Sequence, residues 1–289
     1  MILIPTVILL NNNYIRHIKY IYGKVVSILK RKIVVGVWKD KLLPSQSLEQ
    51  ATALSEIFKD KDLCFDACVA PSPVSLIGVQ NIVKQIGAIK AIAQDVHWPD
   101  SKRSFIGSTS IAMLKEIGID MCMIGHSERR RIFNETNEDI NKKLLACIDS
   151  DIYPILAIGD DVIDYDERKK ILIDQLTGAL CPNEESTVDV TKIAIAYEPV
   201  WAISTWRSAQ ALPNGKEVDE VMNLVADILV DTCKFNIDST PLLYGGSVAP
   251  SNAEEYFSQK IVDGALVGGA SLKVDSLATV FNIAQNIWK

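Results

Sequence analysis

From residue 33 onward, short apolar and β-branched runs alternate with segments of helical periodicity. Eight of these runs have the length and composition of strands whose two faces are both covered. They span residues 33–38, 63–70, 88–95, 120–124, 153–158, 192–197, 241–244 and 264–267. Helical spacing of apolar residues is clearest over 47–58, over 217–231 and in a last helix that begins at Asp275. Eight strand–helix units in one undivided stretch predict the α/β class and a single (β/α)8 barrel over residues 33–289.

An open, doubly wound sheet is the competing architecture. That architecture, when it binds a dinucleotide, carries a GxGxxG turn directly after its first strand. Here the first strand ends in Gly36-Val37-Trp38-Lys39 and does not supply that turn. The barrel is therefore the expected fold.

Composition narrows the function classes. The chain is 48% hydrophobic and 23% charged, with a net charge of −6, which argues against a general nucleic-acid binder. Its six cysteines are scattered and form no CxxC or Cys/His cluster, so neither a zinc module nor a disulfide framework is expected. We expect no metal, no nucleic-acid partner and no membrane association.

Residues 1–32 differ from the rest of the chain. They begin with an apolar run broken by Pro5 and contain six Lys or Arg and no acidic residue. A run of ten residues is too short for a membrane span, which needs about 20. We interpret the segment as an N-terminal extension of organelle-targeting type, for a plastid-like compartment, with a cytoplasmic protein as the alternative. An additional helix or a wrongly assigned start codon would also account for it.

Active sites of (β/α)8 barrels lie where strands end and the following loops begin. The first strand ends at Lys39. This lysine either provides a fixed positive charge that binds an anionic ligand or is an ordinary surface lysine. The fourth strand ends at His126. The N-terminus of the following helix would keep this imidazole neutral, so that it could donate a hydrogen bond; the alternative is that it only caps the helix. The sixth strand ends at Glu198, which precedes Pro199 and Trp201. Glu198 is either a general base of raised basicity or an ordinary solvated carboxylate.

Glycine pairs follow the last two strands. Gly245-Gly246 precedes Ser247, and Gly268-Gly269 follows the eighth strand. Such pairs allow backbone N–H groups to surround an anion, although a single pair is also typical of a simple turn. In barrels the loops after strands seven and eight commonly hold a phosphate.

Together, the strand ends provide a base, a hydrogen-bond donor, a cation and a phosphate cradle. This set suits proton abstraction next to the carbonyl of a small phosphorylated substrate. The developing enediolate would be stabilised by His126 and Lys39. No metal or organic cofactor is required for this chemistry.

Four motifs, in this order, closely resemble triosephosphate isomerase, and the resemblance runs from about Val34 to the C-terminus. They are His126-Ser127-Glu128-Arg129-Arg130, Ala196-Tyr197-Glu198-Pro199-Val200-Trp201-Ala202-Ile203, Tyr244-Gly245-Gly246-Ser247-Val248, and Asp263-Gly264 with Leu266-Val267-Gly268-Gly269-Ala270-Ser271-Leu272-Lys273. The resemblance implies a TIM barrel that interconverts D-glyceraldehyde 3-phosphate and dihydroxyacetone phosphate in glycolysis and gluconeogenesis.

The resemblance also implies roles for individual residues. Glu198 would be the base, His126 would polarise the carbonyl, and Lys39 would be the active-site cation supported by the carboxylate of Glu128. Phosphate would be bound by Ser247, Gly268 and Gly269, and Ser204 would contact substrate from a lid over residues 201–209. A homodimer is implied, in which the loop Trp98–Ser108 reaches the partner.

The chain also departs from the family pattern at several positions. Val37 stands where the family has Asn, the lid carries Ser204 and Trp206 in place of its usual glycines, and Ile106 replaces a Thr of the dimer loop. Ala157 stands where the fifth strand usually has Cys. Val37 and Ile106 are either a matched apolar replacement across the dimer or drift after loss of activity. The alternatives to an active isomerase are therefore a weakly active or non-catalytic triose-phosphate-binding relative, or another phosphosugar barrel enzyme.

Overall fold

The computed structural model describes three segments near the N-terminus and most of the remaining chain. The three segments are strands, Val7–Asn11 (β1), Tyr14–Ile21 (β2) and Lys24–Ser27 (β3), paired antiparallel in the order β1-β2-β3. Beyond them it describes residues 30–99, 104–162, 164–181, 188–202 and 212–289. Within the described segments the extension is strand, so the alternative of an additional helix there was wrong.

Eight parallel strands form the second sheet. They are Ile33–Val37 (β4), Asp66–Ala70 (β5), Lys90–Ala91 (β6), Met121–Ile124 (β7), Tyr153–Asp160 (β8), Ala194–Pro199 (β9), Leu242–Tyr244 (β10) and Gly264–Val267 (β11). The strand order is β6-β5-β4-β11-β10-β9-β8-β7. Ala93, just after β6, donates to the Met121 carbonyl at 3.1 Å and accepts from the Met123 N–H at 2.9 Å, which joins the two outer strands. The nearly closed (β/α)8 barrel confirms the predicted fold.

Nine α-helices follow the barrel strands in the described part of the chain. They are Pro44–Phe58 (α1), Pro73–Ile86 (α2), Ile111–Glu116 (α3), Ser127–Ile132 (α4), Asn137–Asp149 (α5), Tyr165–Leu180 (α6), Gly215–Asp231 (α7), Ala253–Phe257 (α8) and Val274–Trp288 (α9). The three helices predicted from periodicity begin one to three residues earlier than expected. For α1 the reason is Pro44, whose missing N–H costs nothing in the first turn.

Alternate residues of each strand contribute to two separate cores. Ile33, Val35 and Val37 of β4 belong to the cluster inside the barrel. Val34 of the same strand belongs to the larger cluster between the sheet and the helices. Because both faces are covered by apolar side chains, the barrel strands read as continuous apolar runs in the sequence.

Three consecutive basic residues, Lys30, Arg31 and Lys32, attach the segment before β4 to the barrel, and we call them the basic clamp. The Nζ atoms of Lys30 and Lys32 lie 2.5 Å and 2.8 Å from the two carboxylate oxygens of Asp263. Arg31 pairs with Asp66 at the start of β5. The predicted extension 1–32 therefore ends in residues that contact the barrel.

No helix in the described part of the chain is long and apolar enough to cross a membrane.

Candidate active site

Lys39 lies just beyond β4 with a backbone φ of 51°, in the left-handed region that non-glycine residues rarely occupy. Its Nζ donates to Oε1 of Glu128 at 2.6 Å. The two side chains predicted to act as cation and supporting carboxylate are thus in direct contact. Both are partly exposed, so the ammonium can also be reached from the cavity that it lines.

His126 caps the N-terminus of α4, directly after β7. Its Nδ1 accepts the backbone N–H of Glu128 at 3.2 Å, and an accepting ring nitrogen carries no proton. The neutral ring's single proton is therefore on Nε2, which lies 3.0 Å from Oε1 of Glu198. His126 is thus both the helix cap and the hydrogen-bond donor, the two roles that the sequence left as alternatives.

Glu198 lies in β9 and is only 2% exposed. Its second carboxylate oxygen, Oε2, accepts the backbone N–H of Ser127 at 2.9 Å. Gly245 packs against it so closely that an added Cβ would lie 2.9 Å from the Glu198 Cγ. The first glycine of the pair is therefore needed for close packing next to the carboxylate.

The buried contact between Glu198 and His126 determines the direction of both pKa shifts. Burial raises the pKa of Glu198, but the contact with His126 Nε2, the Ser127 N–H and the charge of Lys39 together lower it by more, so the net pKa lies below its usual value. The expectation of raised basicity was wrong for this arrangement. Burial lowers the pKa of His126, but the charge and hydrogen bond of Glu198 together with the charge of Glu128 raise it by more, so the net pKa lies above its usual value.

A cavity of about 310 Å³ is lined by Lys39, His126 and Glu198 together with the loops after β10 and β11. Ser247, Gly268 and Gly269 lie on its wall. An added Cβ on Gly268 would meet no atom within 4 Å, so this glycine leaves its backbone open to the cavity.

Ser247 adopts a left-handed φ of 38°, and its hydroxyl donates to the carbonyl of Ala202. Asn252 holds the same loop, because its side-chain amide donates to the Ser247 carbonyl at 3.2 Å and accepts the Ala249 N–H at 2.8 Å. The loop after β10 is thus fixed in a conformation that glycine would adopt more readily.

The remaining predicted positions fall in two groups. Val37 is buried and lines the same cavity as Lys39, which places an apolar surface beside the cation. Ser204, Trp206 and the rest of residues 203–211 lie outside the described residues. The structure thus brings together Lys39, His126, Glu128, Glu198, Ser247, Gly268 and Gly269 at one end of the barrel.

Sequence reasoning missed three contributors to this site. They are the backbone N–H of Ser127, the side chain of Asn252 and the side chain of Gln94, which donates to the Lys39 carbonyl. Gln94 lay at the end of a predicted strand, the position at which the other candidates were found, and that signal was sufficient to include it. A backbone donor and an in-loop asparagine leave no comparable mark in a sequence.

Among the described residues, no group of three or more His, Cys, Asp or Glu side chains is arranged to hold a metal ion.

Comparison with known proteins identifies the family. The sequence model described as "Triosephosphate isomerase" matches residues 32–284. The triosephosphate isomerase of Caldanaerobacter subterraneus subsp. tengcongensis is 35% identical over 256 residues, covering 88% of this chain and all of that protein. Those of Malacoplasma penetrans and Prosthecochloris aestuarii are 34% and 33% identical, over 89% of this chain and 100% and 99% of theirs. The chain therefore belongs to the triosephosphate isomerase family and is an isomerase.

Proposed function

We propose that this chain interconverts D-glyceraldehyde 3-phosphate and dihydroxyacetone phosphate by moving one proton between adjacent carbons. We place the reaction in glycolysis and gluconeogenesis, the pathways that the family serves. The observation that supports this proposal is that the Glu198 carboxylate, the His126 Nε2–H and the Lys39 ammonium line one cavity together with the open backbone of Gly268.

In the proposed first step, Glu198 takes a proton from the carbon next to the substrate carbonyl. The electron pair of the broken C–H bond moves into an enediolate, whose oxygen becomes negative. The Nε2–H of His126 and the Lys39 ammonium stabilise that oxygen. The hydroxyl proton on the carbon that lost its C–H then passes to the former carbonyl oxygen, so the two oxygens exchange hydroxyl and carbonyl character. Glu198 returns its proton to the former carbonyl carbon, so the carboxylate is regenerated and no cofactor is consumed.

This chemistry requires a change of hydrogen-bond partners at the base. Both oxygens of Glu198 are engaged, by His126 Nε2 and by the Ser127 N–H. Glu198 must release at least the His126 contact before His126 can donate to a substrate oxygen. Because the pKa of Glu198 lies below its usual value, the carboxylate is ionised at neutral pH, the state in which a general base acts.

Phosphate binding is assigned to the loops after β10 and β11. Ser247, Gly268 and Gly269 line the same cavity as the base, and the Lys39 ammonium adds a positive charge there. Ser204 is assigned to substrate binding from the lid on the basis of the family pattern alone.

The experiment compares turnover of the wild-type chain with Glu198→Gln and with Glu56→Gln, which alters an exposed carboxylate on α1. Loss of a general base predicts a fall in kcat of about 10²–10⁴-fold for Glu198→Gln, with no change for Glu56→Gln. Turnover that survives in Glu198→Gln would contradict the assignment.

Val37 is the observation that favours the second candidate, a triose-phosphate-binding relative with little or no catalysis. It gives the cavity an apolar wall where the family pattern has an amide side chain. A folded wild-type chain that binds inorganic phosphate but shows no isomerase turnover would establish this second candidate. The Val37→Asn variant would then be expected to gain activity.

We also propose a homodimer. A second cavity of about 470 Å³, lined by Val37, Lys39, Met123, Ile132 and Phe133 among others, opens beside the active-site cavity. Ile132, Phe133 and Ile106 are exposed apolar side chains, and Ile106 is fully exposed. We assign this second cavity to Ile106 of another copy of the chain, which would exclude water from three apolar side chains at once.

A further inference from the structure

The backbone of Lys39 occupies a conformation that its own side chain disfavours. A φ of 51° brings the Cβ of a non-glycine residue close to its own carbonyl, so the neighbouring structure must hold it there. The side-chain end is held separately, since Nζ donates to Glu128 at 2.6 Å. The contacts that hold the Lys39 backbone therefore determine the position from which its side chain extends into the cavity.

Gln94 supplies the contact at the backbone end. Its Nε2 donates to the carbonyl of Lys39 at 2.9 Å and to the carbonyl of Ala70 at 2.8 Å, which uses both hydrogens of the amide. The Ala70 carbonyl also accepts the N–H of Trp38 at 3.0 Å. One side chain therefore joins the ends of β4 and β5 to the segment that follows β6.

We propose that Gln94 is a positioning residue for the isomerase reaction, which holds the left-handed backbone of Lys39 and thereby aims the Lys39 ammonium at the substrate anion. This inference rests on the proposed role of Lys39 in binding substrate. Gln94 does not line the active-site cavity with Glu198; it lies in the neighbouring cavity that Lys39 also borders. Its effect on the substrate is therefore exerted through Lys39.

Gln80 provides a matched control. Its Nε2 also donates to a backbone carbonyl, that of Gly118, at 2.7 Å, and its side chain is more buried than that of Gln94. Gly118 lies just before β7, at the opposite end of the barrel from the active site. Gln80→Met thus removes a similar hydrogen bond without touching Lys39.

The test measures KM for dihydroxyacetone phosphate, kcat and the Kd for inorganic phosphate in full-length Gln94→Met and Gln80→Met. We expect Gln94→Met to raise KM and the phosphate Kd by about tenfold, with kcat changing less, because a misaimed cation weakens anion binding. Gln80→Met should lower thermal stability and leave KM and Kd unchanged. Sedimentation of each variant checks that its oligomeric state is that of the wild type.

A double-mutant cycle separates positioning from general stability. If Gln94 acts through Lys39, Gln94→Met has no further effect on the phosphate Kd in a Lys39→Met background. Gln94→Asn, which keeps an amide but is shorter by one methylene, repeats the measurement if Gln94→Met does not fold. An unchanged KM and Kd in the Gln94 variants, or an undiminished effect in the Lys39→Met background, would overturn the proposal. Phosphate binding requires no turnover, so an inactive wild type contradicts the proposed function and leaves this test intact.

Discussion

At the scale of single residues, position at a strand end was the informative signal. It singled out Lys39, His126 and Glu198 from their places in the sequence, and all three line one cavity. The pKa of Glu198 could not be predicted in the same way, because it depends on a contact between residues 72 positions apart. A carboxylate beside an apolar strand suggests raised basicity, but the contacts with His126, Ser127 and Lys39 reverse the direction.

The reciprocal contact gives a residue-scale prediction. Replacing Glu198 by Gln removes the negative charge that raises the pKa of His126, while burial continues to lower it. We therefore expect the His126 imidazole to titrate at lower pH in Glu198→Gln than in the wild type. NMR titration of the imidazole resonances measures this shift.

His97 serves as the internal control in that titration. Its pKa is lowered by burial and by Lys143, with no contribution from Glu198 among its causes. Its resonances should titrate identically in both proteins. An unchanged pKa at His126 would show that Glu198 does not carry the charge assigned to it.

At the scale of elements, apolar periodicity located the barrel strands well. The one helix start predicted from a capping residue, Asp275, was wrong, because α9 begins at Val274 and its N-cap position is Lys273. Asn214 and Glu217 form a capping box at the start of α7, and the three-residue spacing of this motif can be recognised in the sequence. The junction between the extension and the barrel was less visible. Lys30, Arg31 and Lys32 contribute to the basic charge of the segment 1–32, yet their partners Asp66 and Asp263 lie far along the chain.

The basic clamp gives an element-scale prediction. Asp263 is almost fully buried, and replacing both Lys30 and Lys32 by Met leaves its carboxylate with the Leu242 N–H as its described hydrogen-bond partner. An uncompensated buried charge of this kind costs about 3 kcal/mol in the free energy of unfolding. Urea denaturation of the full-length double variant measures the loss.

The exposed pair of Lys59 and Glu56 on α1 is the control for the clamp. Lys59→Met should leave the free energy of unfolding essentially unchanged, because exposed ion pairs contribute little. Equal stability of the clamp variant and the wild type would mean that residues 30–32 do not belong to the folded barrel.

At the scale of the whole molecule, the proposed dimer explains two of the departures from the family pattern, Val37 and Ile106, together. Val37 lines both the active-site cavity and the cavity assigned to a partner's Ile106. If Val37 and Ile106 meet across the interface, an apolar contact takes the place of the family's polar contact between Asn and Thr. Neither residue then needs the polar partner that the other position has lost. The sequence alone left this matched replacement and drift as equal alternatives.

Ile106→Asp tests the assembly. The wall of this cavity carries charged side chains, among them Lys39, Asp95 and Arg129, beside its apolar ones. Ile106→Asp removes the apolar contact with Ile132 and Phe133 and requires a carboxylate to lose its hydration, so we expect a monomer at micromolar concentration in sedimentation experiments, and a dimer for the wild type. Val230→Asp introduces the same charge at an exposed apolar position on α7 and should leave the dimer intact. A wild-type chain that is monomeric at that concentration would contradict the proposal.

The sequence by itself determined the fold class, the order of the strands along the chain and the family. Apolar runs, helical periodicity and motifs are properties of residues that are near one another in the chain. A parallel sheet with both faces covered needs continuous apolar strands, so its strands can be recognised directly in the sequence. The tertiary structure decided which Glu198 oxygen meets His126, that Gln94 holds Lys39, and that Asp263 receives two lysines. These features depend on distances between residues far apart in the chain, and only closure of the barrel sets those distances.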